Sequence, residues 1–214
     1  MSEFEAPCNG SGWTVIQRRM DGSVDFDRTW TEYKDGFGNL TGEFFIGLEK
    51  LHQITKSRKH ELVISLENIM GSRNFAKYDD FRIGSEKDSY PLESVGNLSG
   101  GAGDSLELNV NMKFSTYDRD NDMKPNINCA MKYEGGWWFC KCGQSCLNGY
   151  FHKKSRRKLL SIDSTIIWGT WQGWDRNSSL LFVEMMIRPK PYFIITRSED
   201  QTNKTNMEQI FKRY

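Results

Sequence analysis

The feature that most constrains this chain is an acidic run at residues 117–127, which leads into the first of four closely spaced cysteines. Asp118, Asp120 and Asp122 alternate along the run. Carboxylates at every second position repel one another unless a cation or a hydrogen-bonded loop compensates their charge. Calcium prefers about six to eight carboxylate and carbonyl oxygens, whereas Asp and Asn are also common turn residues. The run therefore predicts either a calcium site or a solvated acidic turn.

An EF-hand is the first calcium motif to test, and the run does not fit it. The three aspartates would fill positions 1, 3 and 5 of such a loop. Position 6 would then be Met123, where the sharp turn needs glycine, and position 12 would be Cys129, where a bidentate Glu is needed. Calcium would have to be bound in a different geometry.

Short segments rich in glycine and aromatic residues recur in a fixed order along the chain. They are GWTVIQRR at 12–19, DGSVDF at 21–26, WTEYKDGFG at 30–38, GEFFIGLE at 42–49, GAGDS at 101–105, FSTYD at 114–118, LNGY at 147–150 and MMIRP at 185–189. This ordered set resembles the fibrinogen-related C-terminal domain shared by fibrinogen chains, ficolins, tachylectins, angiopoietins and tenascins. The resemblance covers the chain from Gly12 to Pro189.

The resemblance implies an α+β fold with a central antiparallel sheet, short helices and a loop-rich, calcium-binding C-terminal subdomain. Residues 1–11 are expected to be the remnant of an N-terminal subdomain that is largely missing. Residues 12–189 are expected to form the fibrinogen-related domain. Residues 190–214 lie beyond it and are expected to be a flexible tail, unless their apolar start packs on the body.

Hydrophobic periodicity gives a coarse map of the secondary structure. Alternating or apolar runs predict strands at residues 13–19, 61–68 and 180–187. Short helices are predicted at 28–36 and 47–55. Between residues 71 and 113, Gly, Ser, Asn and Asp recur too often for long elements.

Composition agrees with one folded, secreted domain. A chain of 214 residues with 37% hydrophobic and 13% aromatic content can bury a core as one unit. Lys+Arg is 29 and Asp+Glu is 28, so the net charge of +1 gives no reason to expect a nucleic-acid partner. No stretch approaches the ~20 apolar residues of a membrane helix, so no membrane insertion is expected. The family is secreted, although the N-terminus does not read as a signal peptide.

The five cysteines are an odd number, so at least one thiol is unpaired within the chain. The resemblance implies a disulfide between Cys129 and Cys142. It also implies that the partner of Cys8 would lie upstream of this sequence.

Cys140 and Cys146 depart from the family pattern and are predicted to pair with each other. A rival interpretation is a zinc site, because Cys140, Cys142, Cys146 and His152 offer four suitable ligands in a short span. Their spacing matches none of the usual paired zinc signatures, which favours disulfides.

Calcium ligands follow from the resemblance residue by residue. It implies side-chain oxygens from Asp120 and Asp122 and backbone carbonyls from Lys124 and Asn126. Asp118 is expected to brace the loop instead, by accepting backbone hydrogen bonds.

The resemblance also places a ligand pocket beside this loop, which in ficolins and tachylectins holds the acetyl group of N-acetylated sugars. The matching positions are Tyr133, Cys142, Gly143, Tyr150 and Asp163. Gly143 stands where many acetyl binders carry His, and Ile162 stands where they carry Tyr. Two polar contacts are therefore missing from the pattern.

Charge near the pocket bears on the ligand class. Lys132 and Tyr133 replace an amide and an acid of the fibrinogen peptide-binding hole, and a Lys there repels a basic peptide and favours acidic ligands. The basic run at residues 152–158 is either a site for sulfated or sialylated glycans or a solvated loop.

The tryptophans and the glycosylation sequons give two further predictions. Trp168 is predicted to be a core residue, and Trp174 is a second candidate. Sequons for N-glycosylation begin at Asn9, Asn39, Asn97, Asn177 and Asn203, which fits a secreted glycoprotein, although so short a pattern also arises by chance.

No enzyme motif is present, since none of His52, His60 and His152 lies in a nucleophile motif and no phosphate-binding loop occurs. The sequence therefore predicts a non-catalytic, calcium-dependent extracellular recognition module, lectin-like, that binds glycans or surface patterns as in innate immunity. The alternative is a secreted signalling or matrix ligand that binds a protein receptor without sugar recognition. The expected partner is a glycan or a cell-surface receptor. The protein is expected to form oligomers through a missing upstream region.

Overall fold

The fold is built around an eight-stranded antiparallel sheet. The computed structural model describes residues 6–8, 11–152, 165–173 and 179–191. The strands, in chain order, are β1 Thr14–Arg19, β2 Phe37–Gly38, β3 Phe44–Phe45, β4 His60–Asn68, β5 Arg73–Ile83, β6 Leu92–Ser94, β7 Leu98–Ser99, β8 Ser145–Cys146, β9 Ile167–Trp168 and β10 Leu180–Pro189. The large sheet has the order β2-β3-β1-β10-β4-β5-β6, with β7 also paired to β5, while β8 and β9 form a separate two-stranded sheet.

The last strand, β10, lies in the middle of the large sheet. It pairs with β1 on one side, where Met185 is opposite Gln17, and with β4 on the other, where Met185 is opposite Ile64. Val183, Met185 and Ile187 are buried on one face, as period-2 alternation requires. The three strands predicted from periodicity are confirmed, within one or two residues at each end.

Four short helices accompany the sheet, namely α1 Trp30–Asp35, α2 Leu48–Ser57, α3 Cys129–Tyr133 and α4 Gly169–Gln172. The α1 helix begins at a capping box, in which Thr29 accepts from the Glu32 amide and donates its own amide to the Glu32 carboxylate. It ends at Gly36, whose φ of 93° and close approach to Ile46 leave no room for a Cβ. The two predicted helices are confirmed. In the described part of the chain, no helix has the length and apolar character that crossing a membrane requires.

The sequence predicts no long elements between residues 71 and 113. This prediction is wrong for β5, which has 11 residues. Ala76, Tyr78, Phe81 and Ile83 of β5 are buried, and the strand pairs with β4 along most of its length. Tertiary pairing therefore outweighs the weak strand propensity of Lys77, Asp79 and Asp80, which lie between them.

Aromatic side chains dominate the core beneath the loops. Trp137, Trp138 and Trp168 are almost fully buried, and each indole N–H has an acceptor. The predicted core position of Trp168 is confirmed, since its Nε1 donates to the carbonyls of Ala102 and Gly103. Trp174 lies outside the described residues.

A buried ion pair, Arg19 with Glu43, joins this sheet to the loop region. The Glu43 carboxylate accepts four backbone N–H groups from residues 20–24. The Arg19 guanidinium donates to the carbonyls of Leu147 and Gly149 and lies 3.9 Å from the centre of the Phe26 ring. Burial lowers the pKa of Arg19 while Glu43 opposes that shift. The pair therefore fixes the backbone that leads into Tyr150.

Candidate functional site

The acidic run folds into a closed loop, defined here as the acidic loop, residues 115–128. Its base is formed by Ser115 and Trp137, which exchange two backbone hydrogen bonds of 3.0 and 3.1 Å. At its other end, the Asn128 side-chain amide donates to the carbonyls of Thr116 and Tyr117. The Asn128 side-chain oxygen accepts the amide of Met131 and so caps α3. One asparagine thus closes the loop and starts the next helix.

Asp118 braces this loop by accepting hydrogen bonds, as predicted. One of its carboxylate oxygens accepts the backbone N–H of Trp30 at 2.9 Å and the Thr116 hydroxyl at 2.7 Å. Trp30 is the first residue of α1, where unsatisfied N–H groups favour a negative charge. The acidic loop is therefore fixed to α1 through Asp118, and this confirms the expected bracing role.

Asp120 and Asp122 are directed into the same turn. Asp120 accepts the amide of Asp122 at 3.1 Å, while Asp122 accepts the amides of Lys124 at 2.7 Å and Cys129 at 2.8 Å. Partial burial, followed by the negative charge of Asp120, raises the pKa of Asp122, against the effect of its two backbone donors. Two neighbouring carboxylates therefore share one turn, in which the charge of Asp120 disfavours ionisation of Asp122.

The potential metal ligands in this turn are carboxylate and carbonyl oxygens, and this limits which ions it could bind. In the described residues, no group of three or more His, Cys, Asp or Glu side chains is placed to hold a metal ion. A cation in the acidic loop would consequently draw on two carboxylates and on backbone carbonyls. Such hard oxygen donors fit calcium, since calcium accepts carbonyls readily, and they do not fit zinc.

A disulfide links α3 to the tryptophan-rich segment that follows it. Cys129 and Cys142 are bonded, with their Cα atoms 5.2 Å apart, which confirms the bridge implied by the family resemblance. The amide of Cys129 also donates to Asp122, so the disulfide is joined directly to the acidic loop. Because Cys142 is oxidised, the alternative zinc site that required its thiolate is wrong.

The predicted bridge between Cys140 and Cys146 is also wrong, because both residues are free thiols. Cys146 is wholly buried in β8, where it pairs with Ile167 and faces the core. Burial raises the pKa of its thiol to about 12. Cys140 is only partly buried and lies in a different turn, with its carbonyl bonded to the Met123 amide. Cys8 is exposed and unpaired.

The predicted pocket residues that lie in the described part of the chain differ widely in exposure. Tyr133 ends α3 and is 4% exposed, with its ring stacked on Phe139 at 5.5 Å, so it offers little surface to a ligand. Tyr150 is 49% exposed and packs edge-on against His152 at 4.8 Å. Cys142 and Gly143 both have left-handed backbone, with φ of 61° and 39°.

Several predicted residues lie outside the described part of the chain. These are Asp163 and Ile162 of the pocket, residues 153–158 of the basic run, and the tail from residue 192 onward. The sequons at Asn9, Asn177 and Asn203 also begin outside it.

Sequence reasoning missed four exposed apolar side chains, called here the apolar rim: Tyr117, Met123 and Ile127 on the acidic loop, and Met131 on α3. Their exposed fractions are 39%, 56%, 41% and 62%. In the sequence they lie among Asp, Asn and Pro residues. The available signal was four large apolar side chains in a segment too rich in turn residues to bury them.

Together, an antiparallel sheet with its last strand at the centre, a disulfide beside an acidic loop and a loop-built aromatic core define a fibrinogen-like globe domain. The model of the family described as "Fibrinogen beta and gamma chains, C-terminal globular domain" matches residues 3–190, and the chain belongs to this family. The predicted family and α+β fold are thereby confirmed.

Curated relatives and solved structures agree with this assignment. Human fibroleukin is 44% identical over 207 residues, which cover 89% of this chain and 46% of that protein. Human fibrinogen C domain-containing protein 1 is 44% identical over 195 residues, covering 87% of this chain and 41% of that protein. The chain thus spans less than half the length of these relatives.

Three solved structures show the same fold. The fibrinogen-like globe domain of human ANGPTL6 has a TM-score of 0.78 at 42% identity, covering 84% of this chain and 79% of its own. The equivalent domain of human ANGPTL2 has a TM-score of 0.79 at 39% identity, covering 87% and 84%. Lamprey fibrin D-dimer, complexed with the peptide Gly-His-Arg-Pro-amide, has a TM-score of 0.78 at 32% identity, covering 94% and 69%.

Proposed function

We propose that this domain is a non-catalytic, secreted recognition module, stabilised by calcium, whose ligand is a protein and whose contact surface is the acidic loop with its apolar rim. The observation that carries the proposal is the exposure of Tyr117, Met123 and Ile127 on the acidic loop and of Met131 on α3, the helix that follows it. Clustered apolar side chains rimmed by polar residues are typical of protein interaction sites. Methionine is well suited to such a surface, because its unbranched, polarisable side chain adapts to a partner.

The rigidity of the loop supports the same proposal. Hydrogen bonds from Asn128 close it, Asp118 fixes it to α1, and the Cys129–Cys142 disulfide holds the helix that follows. A preorganised surface loses less conformational entropy on binding, which increases affinity. A turn that only kept the surface hydrated would not need this many constraints.

Calcium is proposed to complete the loop. Asp120 and Asp122 would supply side-chain oxygens, and Lys124 and Asn126 would supply backbone carbonyls. The hydrogen bond from the Asp122 amide to the Asp120 side chain places both carboxylates in one turn, which supports this assignment because a bound cation would offset their mutual repulsion. Calcium would hold the two carboxylates together and keep the apolar rim in a fixed position.

The lectin-like interpretation has less support. An acetyl pocket needs an accessible aromatic wall, yet Tyr133 is 4% exposed and stacked on Phe139. Gly143 and Ile162 also lack the polar groups of the acetyl-binding pattern. Among structural neighbours, the lamprey fibrin structure holds a peptide, although Lys132 disfavours an equally basic ligand in this chain.

The calcium arm of the test is a thermal unfolding experiment. For the wild-type chain at a calcium concentration about 100 times Kd, we expect about 2.7 kcal/mol of stabilisation, or a Tm rise of about 5–11 °C. The double variant D120N/D122N should lose the rise, whereas D88N, which changes an exposed aspartate elsewhere, should keep it. No rise in the wild type would refute the calcium site.

The ligand arm uses binding to cells and to immobilised sugars. Binding of the domain to cells should be lost after protease treatment of the cells and retained after glycosidase treatment. The domain should not bind immobilised acetylated, sulfated or neutral sugars. The variant M123E/M131E should lose at least about tenfold in affinity, since central interface residues contribute more than about 1 kcal/mol each. M70E is the matched control, because Met70 is 82% exposed on a different hairpin. Binding that resists protease but not glycosidase would restore the lectin interpretation.

A further inference from the structure

The turn between β2 and β3 has a fixed backbone shape and carries one of the sequons. Asn39 donates its amide to the Glu43 carbonyl at 2.8 Å, and Gly42 donates its amide to the Asn39 carbonyl at 2.9 Å. Arg18 on β1 donates from one guanidinium nitrogen to the carbonyls of Leu40 and Gly42. These hydrogen bonds hold the backbone at Asn39 in the turn.

The side chain of Asn39 is arranged so that its amide nitrogen is available. Its Oδ1 accepts both the Thr41 amide at 3.0 Å and the Thr41 hydroxyl at 2.8 Å, which forms an Asx-turn. Within the described part of the chain, no hydrogen bond is made by the Asn39 Nδ2. Asn39 and Thr41 are both exposed. The sequon thus places its hydroxyl against the amide oxygen and leaves the nitrogen facing solvent.

The sequon at Asn97 is a contrasting case in the same molecule. Asn97 is also exposed, but its Nδ2 donates to the Asp79 carboxylate at 3.4 Å, and its backbone amide donates to the same group at 2.7 Å. The Ser99 hydroxyl donates to the Lys77 carbonyl and not to the asparagine. Leu98 and Ser99 are moreover paired with β5. Here the amide nitrogen is occupied and the hydroxyl is directed elsewhere.

We propose that Asn39 is the site of an N-linked oligosaccharide and that Asn97 is unmodified. The proposal rests on the proposed function, since the modification requires passage through the secretory pathway. The co-reactant is a lipid pyrophosphate-linked oligosaccharide. Asn39 Nδ2 forms a bond to the sugar C1 and loses one proton to a base. The bond from C1 to the pyrophosphate oxygen breaks, and the lipid pyrophosphate leaves with the electron pair.

The folded turn can keep its structure after this reaction. The new bond is made by Nδ2, so both hydrogen bonds accepted by Oδ1 from Thr41 survive. The glycan would project from the turn that follows β2, the terminal strand of the described large sheet. A terminal strand presents unpaired backbone groups that can recruit another chain. A bulky hydrophilic group there would cover this edge and leave the acidic loop as the surface open to a partner.

Peptide mapping of the secreted chain tests the proposal. The 214-residue chain is expressed in animal cells behind a heterologous leader. N-glycans are then removed with an amidase that converts each modified asparagine to aspartate. The Asn39 peptide should carry this conversion in most copies, and the Asn97 peptide should not. N39Q and T41A should each lose the mobility shift due to one glycan, T41S should retain it, and N97Q should leave the shift unchanged.

An unconverted Asn39 peptide, or a converted Asn97 peptide, would overturn the proposal. Mapping of the wild-type chain decides this even where a variant fails to fold, and it separates Asn39 from sequons elsewhere in the chain. The heterologous leader ensures secretory passage, so failure here concerns the sequon and leaves protein binding at the acidic loop untouched. Conversely, unchanged binding by M123E/M131E would refute the proposed contact surface without affecting the glycan at Asn39.

Discussion

Replacing Glu43 by glutamine should be among the most damaging conservative changes in this chain. The side chains of Glu43 and Arg19 are 0% and 2% exposed, and their charged groups approach to 3.7 Å. Glutamine removes the charge, leaves Arg19 buried without its counterion, and places an NH₂ group where one of two accepting oxygens had been. Removing one partner of a buried pair costs about 3–5 kcal/mol. For a chain of this size, that corresponds to a Tm decrease of about 6–20 °C.

The assay is equilibrium unfolding in urea, with the wild type, E43Q and a control measured under the same conditions. The control is E67Q, because Glu67 pairs with Arg73, whose side chain is 81% exposed. A surface pair contributes about 0–1 kcal/mol, so E67Q should differ little from the wild type. E43Q should lower the midpoint without changing the slope, which would show that stability and not compactness has changed.

The reasoning would be refuted if E43Q cost no more than E67Q. That outcome would mean that the four backbone N–H donors from residues 20–24 and the Arg19 charge are satisfied equally well by an amide. It would also remove the basis for treating this pair as the anchor of the backbone before Tyr150.

Two further predictions concern the cysteines and pH. The variant C129S/C142S should lose about 3 kcal/mol of unfolding free energy, because the disulfide no longer closes a short loop in the unfolded chain. Alkylation of the unfolded wild type without reductant should modify three cysteines. Burial lowers the pKa of His60 below 6.5, its ordinary value, so the unfolded state binds the proton more readily. The contribution of His60 to stability should therefore be fully present above pH 6.5. It should be lost as the pH falls from 6.5 toward the lower pKa of His60 in the folded state. H60Q should flatten that part of a pH series of urea midpoints; an unchanged slope would contradict the assignment.

The central strands and short helices were predictable because their signals are local. The capping box of Thr29 and Glu32 and the apolar run of β10 can be read directly from neighbouring residues. β5 was not predictable in this way, since Ala76, Tyr78 and Phe81 are separated by polar and charged residues and become a buried face only when β4 pairs with them. Pairing between strands is a tertiary property that composition conceals.

The candidate site shows the same division. The bracing role of Asp118 followed from the behaviour of a charged acceptor in a turn, and the structure confirms it. The fate of Cys140 and Cys146 depended on which way each side chain faces, and six residues of spacing do not determine that. The apolar rim was missed because the sequence does not show whether a large apolar side chain such as Met123 or Met131 is exposed or buried.

The position of β10 has a consequence for biosynthesis. Arg18 on β1 forms an ion pair with Glu184 on β10, 166 residues later in the chain. While the ribosome is still translating, β1 and β4 lack the neighbour that both will share, and their hydrogen-bonding edges are open to other nascent chains. Contacts so distant in sequence also slow folding. We therefore expect this domain to reach its final form only once β10 has been synthesised, and to depend on chaperones until then.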